Sequence, residues 1–196
     1  MGTVIFDTSM SLDGYMTAAH QTPEEPMGDG GLRLMEWVLG GDERNVQLLA
    51  GWVDRLGASI AGRRTYDTSV AWWGADGPSG AARRPLFVVT HHDPGTSPNP
   101  EVYTFVTDGI EQALERAQAA ARGDNVVVMG GADLGRQYLA ARLVDEIQVH
   151  LAPVLLGAGT RMFDGQHLTL ETIEVIETPA AIHQRYRVLK DANDRT

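Results

Sequence analysis

Cysteine is absent from the 196 residues, which excludes disulfides, thiolate metal sites and a cysteine nucleophile together. Lysine is nearly absent as well. Lys190 is the only one, so Schiff-base chemistry has essentially no candidate. No apolar run approaches the ~18–20 residues that a membrane-spanning helix needs. The first residues, Met1-Gly2-Thr3-Val4-Ile5-Phe6-Asp7, carry no basic region and reach an acid at once, unlike a secretory signal. Basic charge is scarce overall: 16 Lys+Arg stand against 26 Asp+Glu, a net charge of −10. That balance argues against nucleic acid, whose phosphates need a basic face. With 43% hydrophobic and 21% charged residues, the chain has the composition of a folded globular protein. The expectation is one domain over residues 1–190 with a tail at 191–196, set in the cytoplasm.

Residues 3–10 read as a first strand that ends at the turn pair Asp13-Gly14. The stretch 20–31 is rich in Pro, Gly and acids and reads as a long surface loop. Leu49, Trp52, Val53 and Leu56 fall at i, i+3, i+4 and i+7, the core stripe of a helix over about residues 44–56. A strand at 58–61, a loop at 74–85 and the continuously apolar strand Leu86–Thr90 follow. After a weaker strand at 102–106, Asp108 reads as the cap of a helix whose Ala113, Leu114, Ala117, Ala120 and Ala121 share one face. Asn125–Met129 is a second buried strand, and it runs through Gly130-Gly131-Ala132 into a helix carrying Leu134, Tyr138 and Leu139. Strands at 146–151, 172–177 and 182–189 complete the chain. Strands that alternate with helices imply an α/β fold: a mostly parallel, doubly wound sheet with helices on both faces. The helix-free end adds an antiparallel C-terminal hairpin.

Three places carry chemistry. In Val128-Met129-Gly130-Gly131-Ala132-Asp133-Leu134-Gly135 a buried strand opens through small residues into a helix, where backbone N–H groups can cradle a phosphate. The bland alternative is a tight turn that needs small residues. As G-x-G-x-x-G it is a poor dinucleotide fingerprint, because Ala132 replaces the second glycine and the segment follows a late strand. Gly62-Arg63-Arg64-Thr65-Tyr66-Asp67 pairs a turn glycine with guanidinium forks and a hydroxyl near a helix start. Two solvated surface arginines would look the same. Against that, Arg63, Arg64, Arg83, Arg84, His91 and His92 fall within thirty residues that hold only Asp67 and Asp76 as acids, a positive island suited to an anion. Thr90, His91 and His92 stand at the C-terminal end of a buried strand, the edge where open α/β sheets bind ligands. Neighbouring histidines on a strand point to opposite faces, so no metal site is expected. Trp72-Trp73 lines a ligand or caps the core, with the core favoured for one of them, and His150 reads as a core or interface histidine. P-loop, H-E-x-x-H and G-x-S-x-G patterns are absent.

The order of these segments resembles the dihydrofolate reductase superfamily, including the C-terminal reductase domain of the bifunctional riboflavin-biosynthesis deaminase–reductase. Ser9-Met10-Ser11-Leu12-Asp13-Gly14 looks like the "S-L-D-G" of riboflavin-type domains. Gly62-Arg63-Arg64-Thr65-Tyr66-Asp67 is similar to the "G-R-x-T-x-E" of folate reductases. Gly130-Gly131 matches a Gly-Gly pair whose peptide is characteristically cis. Leu143–Ile147 and Pro153–Gly159 look like "L-V-D-E-L … P-V-L-L-G-x-G". Departures exist too. Asp7 stands where riboflavin-type domains usually carry lysine, and Gly57–Thr65 is closer to folate reductases. No deaminase domain is expected ahead of the first strand.

The resemblance implies a reductase that uses NADPH on a pyrimidine- or pterin-like substrate. Reduction of 5-amino-6-(5-phosphoribosylamino)uracil is the activity most directly suggested; dihydrofolate reduction and non-catalytic NADPH binding are the alternatives. It places Ser9 and Met16 by the nicotinamide carboxamide, and Arg63 on the 2′-phosphate, favouring NADPH over NADH. Thr65 falls on the pyrophosphate, and Thr90 and His91 beside the 2′-phosphate. Gly62, Arg64, Met129, Gly130, Gly131, Ala132, Asp133 and Leu134 complete the nucleotide set. Asp13 either touches substrate or makes its turn with Gly14. The pterin-binding carboxylate has two candidates, Asp29 and Glu36, with Glu36 preferred as a helix residue facing the cleft. A homodimer is implied, with Val149, Leu151 and the 182–189 strand near its interface.

Overall fold

The continuously apolar segments form inner strands of the sheet, as strands covered on both faces must. In the computed structural model, which describes residues 2–189, six strands run parallel: β1 (Val4–Ser11), β3 (Leu56–Gly62), β4 (Leu86–Val89), β5 (Tyr103–Val106), β6 (Asn125–Met129) and β7 (Glu146–Ala152). The antiparallel pair β9 (Thr169–Glu177) and β10 (Ile182–Leu189) extends the sheet, giving the order β5-β4-β3-β6-β1-β7-β10-β9. The expected architecture forms, hairpin included; the 191–196 tail lies outside the described residues. Two short strands, β2 (Tyr15–Ala18) and β8 (Gly159–Arg161), pair separately. Too short to show a period, they are not anticipated from sequence.

Strand alternation divides the apolar residues between two faces. Phe6, Ala58, Ile60, Phe87, Val126, Val128, Ile147 and Val149 turn to one core. It is covered by α4 (Ile110–Ala121) and α5 (Ala132–Ala140) through Ala113, Leu114, Ala117, Ala121, Leu134, Tyr138 and Leu139. The Tyr138 hydroxyl donates to the Ile110 carbonyl at 2.8 Å and locks the two helices together. On the opposite face α3 (Arg63–Trp73) covers Ala61, Leu86, Val88 and Met129 with Tyr66, Val70 and Trp73. Farther along that face lie α1 (Glu36–Leu39) and α2 (Glu43–Asp54).

Three local expectations are corrected. Leu56 belongs to β3, and α2 ends at Asp54, so the predicted apolar stripe is cut short; its Leu49, Trp52 and Val53 are only half-buried, and Asn45 is the helix's most buried side chain. Asp108 does not cap α4: Gly109 is the N-cap, and the Asp108 carboxylate is drawn instead to Arg116 at 2.5 Å. Val149, expected near a subunit interface, is 5% exposed within the core of the single chain.

Asp13 fixes the end of β1. Its carboxylate accepts from the Ser11 hydroxyl at 2.6 Å, from Leu156 N at 3.1 Å and from Gly157 N at 2.7 Å. It thereby ties the β1–β2 turn, closed by Gly14 at φ +88°, to the segment after β7. The Ser11 hydroxyl, the largest influence, holds the carboxyl down to about 2 against desolvation, with the Gly157 and Leu156 N–H groups adding to the lowering. Such a depressed acid contributes stability that is complete above its ordinary value of 3.8 and is lost as the pH falls toward 2. Asp13→Asn therefore lowers the melting temperature at pH 7 and flattens the decline between about pH 4 and 2, which melting curves across that range will register. A second test addresses packing. A Cβ on Gly135 of α5 would sit 2.5 Å from Cε2 of Phe6, which is fully buried. Helix propensity favours alanine there by about 1 kcal/mol, yet overpacking costs about 1–3 kcal/mol. Gly135→Ala should thus be net destabilising in denaturant unfolding.

Candidate functional site

β6 is the shortest strand in the centre of the sheet. It stops at Met129, whose neighbours in register are Ala61 of β3 and Asp7 of β1. β1 runs on to Ser11 with β7 as its partner on the other side, so beyond Asp7 no strand among the described residues pairs with its β6-facing edge. The result is a notch at the C-terminal edge of the sheet, where such folds bind ligands.

Two helices begin at this notch. α3 starts at Arg63, immediately after β3, with Gly62 as N-cap; α5 starts at Ala132 with Gly131 as N-cap. Neither cap offers a side-chain acceptor, so the first-turn N–H groups keep their capacity for an outside anion, aided by both helix dipoles. Gly130 and Gly131 adopt φ of +60° and +66°, a region that disfavours side chains. A Cβ on Gly130 would meet Thr65 Cγ2 at 3.0 Å, and one on Gly131 would meet Thr65 Oγ1 at 3.2 Å. The two glycines and Thr65, far apart in sequence, thus build one cradle. Their peptide is trans, where the resemblance implied cis. Ala132 and Leu134 are buried and can offer only main-chain groups; Asp133 is exposed in the first turn of α5.

Arg63 lies beside the cradle. Its Nε bonds Asp67 at 2.7 Å, one turn on, and Nη1 donates to the His92 carbonyl at 3.3 Å. This brings the second and third sequence signals together. Thr90 is buried, and its hydroxyl closes the turn onto the His92 carbonyl at 2.9 Å, leaving His91 exposed. Arg64 Nη2 donates to Gln21 Oε1 at 2.6 Å and anchors the 20–31 loop against α3. The positive island, however, divides. Arg83 and Arg84 precede β4, whereas Thr90 and His91 follow it, so a strand length of roughly 13 Å separates the two groups. Arg83 pairs with Asp76 at 2.7 Å instead. Of the tryptophans, Trp73 packs on the core and Trp72 is 76% exposed.

On the substrate side, Asp13 is committed to its own turn, as described above. Met16 is buried in the core, so only its main chain is available to a ligand. Glu36 is on a helix, but its side chain is 62% exposed in solvent, 4.0 Å from Arg33. The next residue, Trp37, is the one that turns inward: it is 5% exposed and its Nε1 donates to Ser9 Oγ at 2.9 Å. Asp29 pairs with His20 in the exposed loop. What sequence reasoning passes over is a polar group on the same sheet face as Ser9. Asp7 Oδ2 receives Gln148 Nε2 at 3.0 Å and lies 3.0 Å from His150 Nε2; His150 in turn meets His183. A signal did exist, since Glu146, Gln148 and His150 recur at every second position of a strand flanked by buried neighbours.

The comparisons agree with this geometry. The family model of the RibD C-terminal domain matches residues 2–183. No curated protein matches the sequence. Among solved structures, a protein of Shewanella sp. PV-4 provisionally assigned to riboflavin biosynthesis superposes with a TM-score of 0.71 at 19% identity, covering 96% of this chain and 99% of its own. A pyrimidine reductase-like protein from Corynebacterium diphtheriae gives 0.68 at 15% identity, with 97% and 93% covered. Dihydrofolate reductase from Enterococcus faecalis, complexed with NADP(H), gives 0.62 at 12% identity, with 95% and 96% covered. At these identities the superpositions establish the fold alone. With the family model spanning nearly the whole sequence, the chain belongs to the RibD C-terminal domain family.

Proposed function

We propose that the protein is an NADPH-dependent reductase of a pyrimidine- or pterin-like heterocycle, with 5-amino-6-(5-phosphoribosylamino)uracil as the first compound to try. The observation that carries this reading is the cradle: two uncapped helix N-termini with Thr65, Gly130 and Gly131 between them, at the notch above β6. The absence of side chains at Gly130 and Gly131 fits a pyrophosphate held mainly by main-chain donors. When bound, the dihydronicotinamide supplies the hydride. The chain's own contribution is placement. The first-turn N–H groups of α3 and α5 and the Thr65 hydroxyl hold the pyrophosphate, Arg63 and the turn at Thr90–His91 take the 2′-phosphate, and the unpaired β1 edge at Ser9 receives the carboxamide.

The Arg63–Asp67 contact bears on cofactor choice. Both side chains are exposed by more than a third, and such pairs are worth about 0–1 kcal/mol. A dianionic phosphate, bound bidentately, outcompetes that partner. Asp7 also narrows the substrate: a carboxyl group at the edge of the notch hydrogen-bonds a polar ring atom and leaves no cationic partner there for a phosphate. As to assembly, β9 is an edge strand whose Leu170, Ile173 and Val175 are 40%, 40% and 57% exposed. We infer that a homodimer covers this hairpin rather than the buried Val149.

Three outcomes are expected. NADPH at about 100 times its dissociation constant stabilises the fold by roughly 2.7 kcal/mol, and in a thermal-shift titration it outperforms NADH. Arg63→Ala removes the difference between the two nucleotides and Asp67→Asn enlarges it; no shift with either nucleotide overturns the reading. Light scattering gives twice the chain mass of 21.3 kDa for the wild type and a monomer for Val175→Glu.

A further inference from the structure

Under α1 and α2 the sheet carries a connected row of polar side chains that nucleotide binding leaves unused. Ser9, His150 and His183 are neighbours in register across β1, β7 and β10, and Asp7, Gln148 and Arg185 form the next row. His150 and His183 are 1% and 3% exposed. Trp37 lies over His150 with ring centroids 4.1 Å apart, and Trp52 follows at 5.1 Å. Asp7 is the open end: its side chain is 28% exposed, beside Met129, which immediately precedes Gly130 of the cradle.

With Asn45 Oδ1 facing His183 and its Nδ2 left without a partner, the hydrogen bonds of this row place its protons. His183 Nε2 lies 3.1 Å from Asn45 Oδ1 and 3.2 Å from Thr178 Oγ1, while the Thr178 hydroxyl is directed at the Ala181 carbonyl at 3.0 Å. Two acceptors at Nε2 place a proton there. Neutral His183 then presents a bare Nδ1 to His150 Nδ1, 2.8 Å away, so that nitrogen must carry a proton. With Nδ1 protonated, a neutral His150 turns a lone pair toward Asp7 Oδ2, 3.0 Å distant. Two acceptors at that distance repel. One more proton is required, either on the Asp7 carboxyl or as the second proton of His150. It does not move to His183, because burial first, and then the positive charge of His150, outweigh the opposing pull of Asp7 and lower that imidazole to about 4.

We propose that Asp7 and His150 hold this proton jointly and that Asp7 delivers it to the substrate as the reduction proceeds, with His183 and Asn45 as positioning residues. The inference rests on the reductase reading above. When a hydride enters the carbon of a C=N or C=O bond, the π pair passes to nitrogen or oxygen. That atom takes the proton from Asp7, the substrate being reduced and the dihydronicotinamide oxidised. The Asp7 carboxylate is left against the bare His150 Nε2 until solvent returns a proton through the exposed end of the row. The charged groups near the row do not supply the proton. From β7 and β10 come Glu146 and Arg185, paired with each other at 2.6 Å. From α2 comes the exposed Arg44, whereas α1 turns Trp37 inward and Glu36 to solvent.

The test begins with long-range 1H–15N correlation spectra of the labelled protein between pH 5 and 9, which report the protonation of each histidine nitrogen. The expected result at pH 7 is a neutral His183 protonated at Nε2 and a His150 protonated at Nδ1, with His150 Nε2 signalling a shared proton that is lost in Asp7→Asn. A His183 protonated at Nδ1, as follows if the Asn45 carboxamide is turned over, overturns the proposal. The second arm is NADPH oxidation with 5-amino-6-(5-phosphoribosylamino)uracil or dihydrofolate. A general acid contributes typically 10²–10⁴-fold, so Asp7→Asn should cut turnover about 100-fold or more, while the NADPH thermal shift stays intact. Unchanged turnover in Asp7→Asn, or no turnover of either compound by the wild type, removes Asp7 as donor. Loss of the NADPH shift in the wild type sinks the reductase reading instead and leaves the histidine spectra as they are.

Discussion

The early end of β6 is the constraint on which the rest of the site depends. A central strand normally pairs along its whole length, because its backbone donors and acceptors have nowhere else to go. Here pairing stops at Met129, and the chain leaves the sheet through two glycines at positive φ and enters α5 at once. Three things follow. α5 begins at the level of the sheet edge, next to the start of α3. Thr65 can close on the glycines, which have no side chains to hold it off. And β1, running on past the end of its neighbour, shows an unpaired edge and the Asp7 side chain to the same space. Longer pairing at this point would fill the notch with backbone.

Burial explains which parts of the fold were legible. Strands covered on both faces must be apolar throughout, so Leu86–Val89 and Val126–Met129 could be located from composition alone, and the Ala/Leu face of α4 from its period. α2 resisted because its inner face is only half apolar: Asn45, not Leu49, is its most buried residue, being needed as a partner for His183. Asp108 resisted for an electrostatic reason. An acid just before a helix reads as a cap, but Arg116 competes for the carboxylate, and a glycine in an extended, positive-φ conformation serves as the cap instead.

The nucleotide side of the site was legible for a related reason. Its parts are local: a glycine or glycine pair at a strand end, followed directly by a helix. Each can be recognised within about six residues, and the sheet then has only to bring them side by side. Sequence proximity misled where a strand intervened, as with Arg83 and Arg84, which β4 carries to the opposite end. The substrate side has no local signature. Asp7, His150 and His183 meet only through the pairing of β1 with β7 and of β7 with β10. Likewise a four-residue helix such as α1 has too few turns to tell whether Glu36 or Trp37 faces in.

The polar row is hard to account for as a stabilising device. Buried hydrogen-bonded networks gain little over a well-packed apolar core, and replacing them with apolar groups is often neutral or favourable. The same face of the same sheet shows the alternative a few strands away, where Ala61, Leu86 and Val88 pack against α3 with no polar atom among their side chains. Nothing in the backbone prevents β7 and β10 from doing likewise under α1 and α2. Instead this half of the face buries two imidazoles in contact with each other, one of them against Asp7. Histidine at both inner positions makes sense if protonation states along the row matter, because the imidazole can donate at one nitrogen while accepting at the other. Trp37 and Trp52 complete the arrangement by packing their rings against the two buried imidazoles.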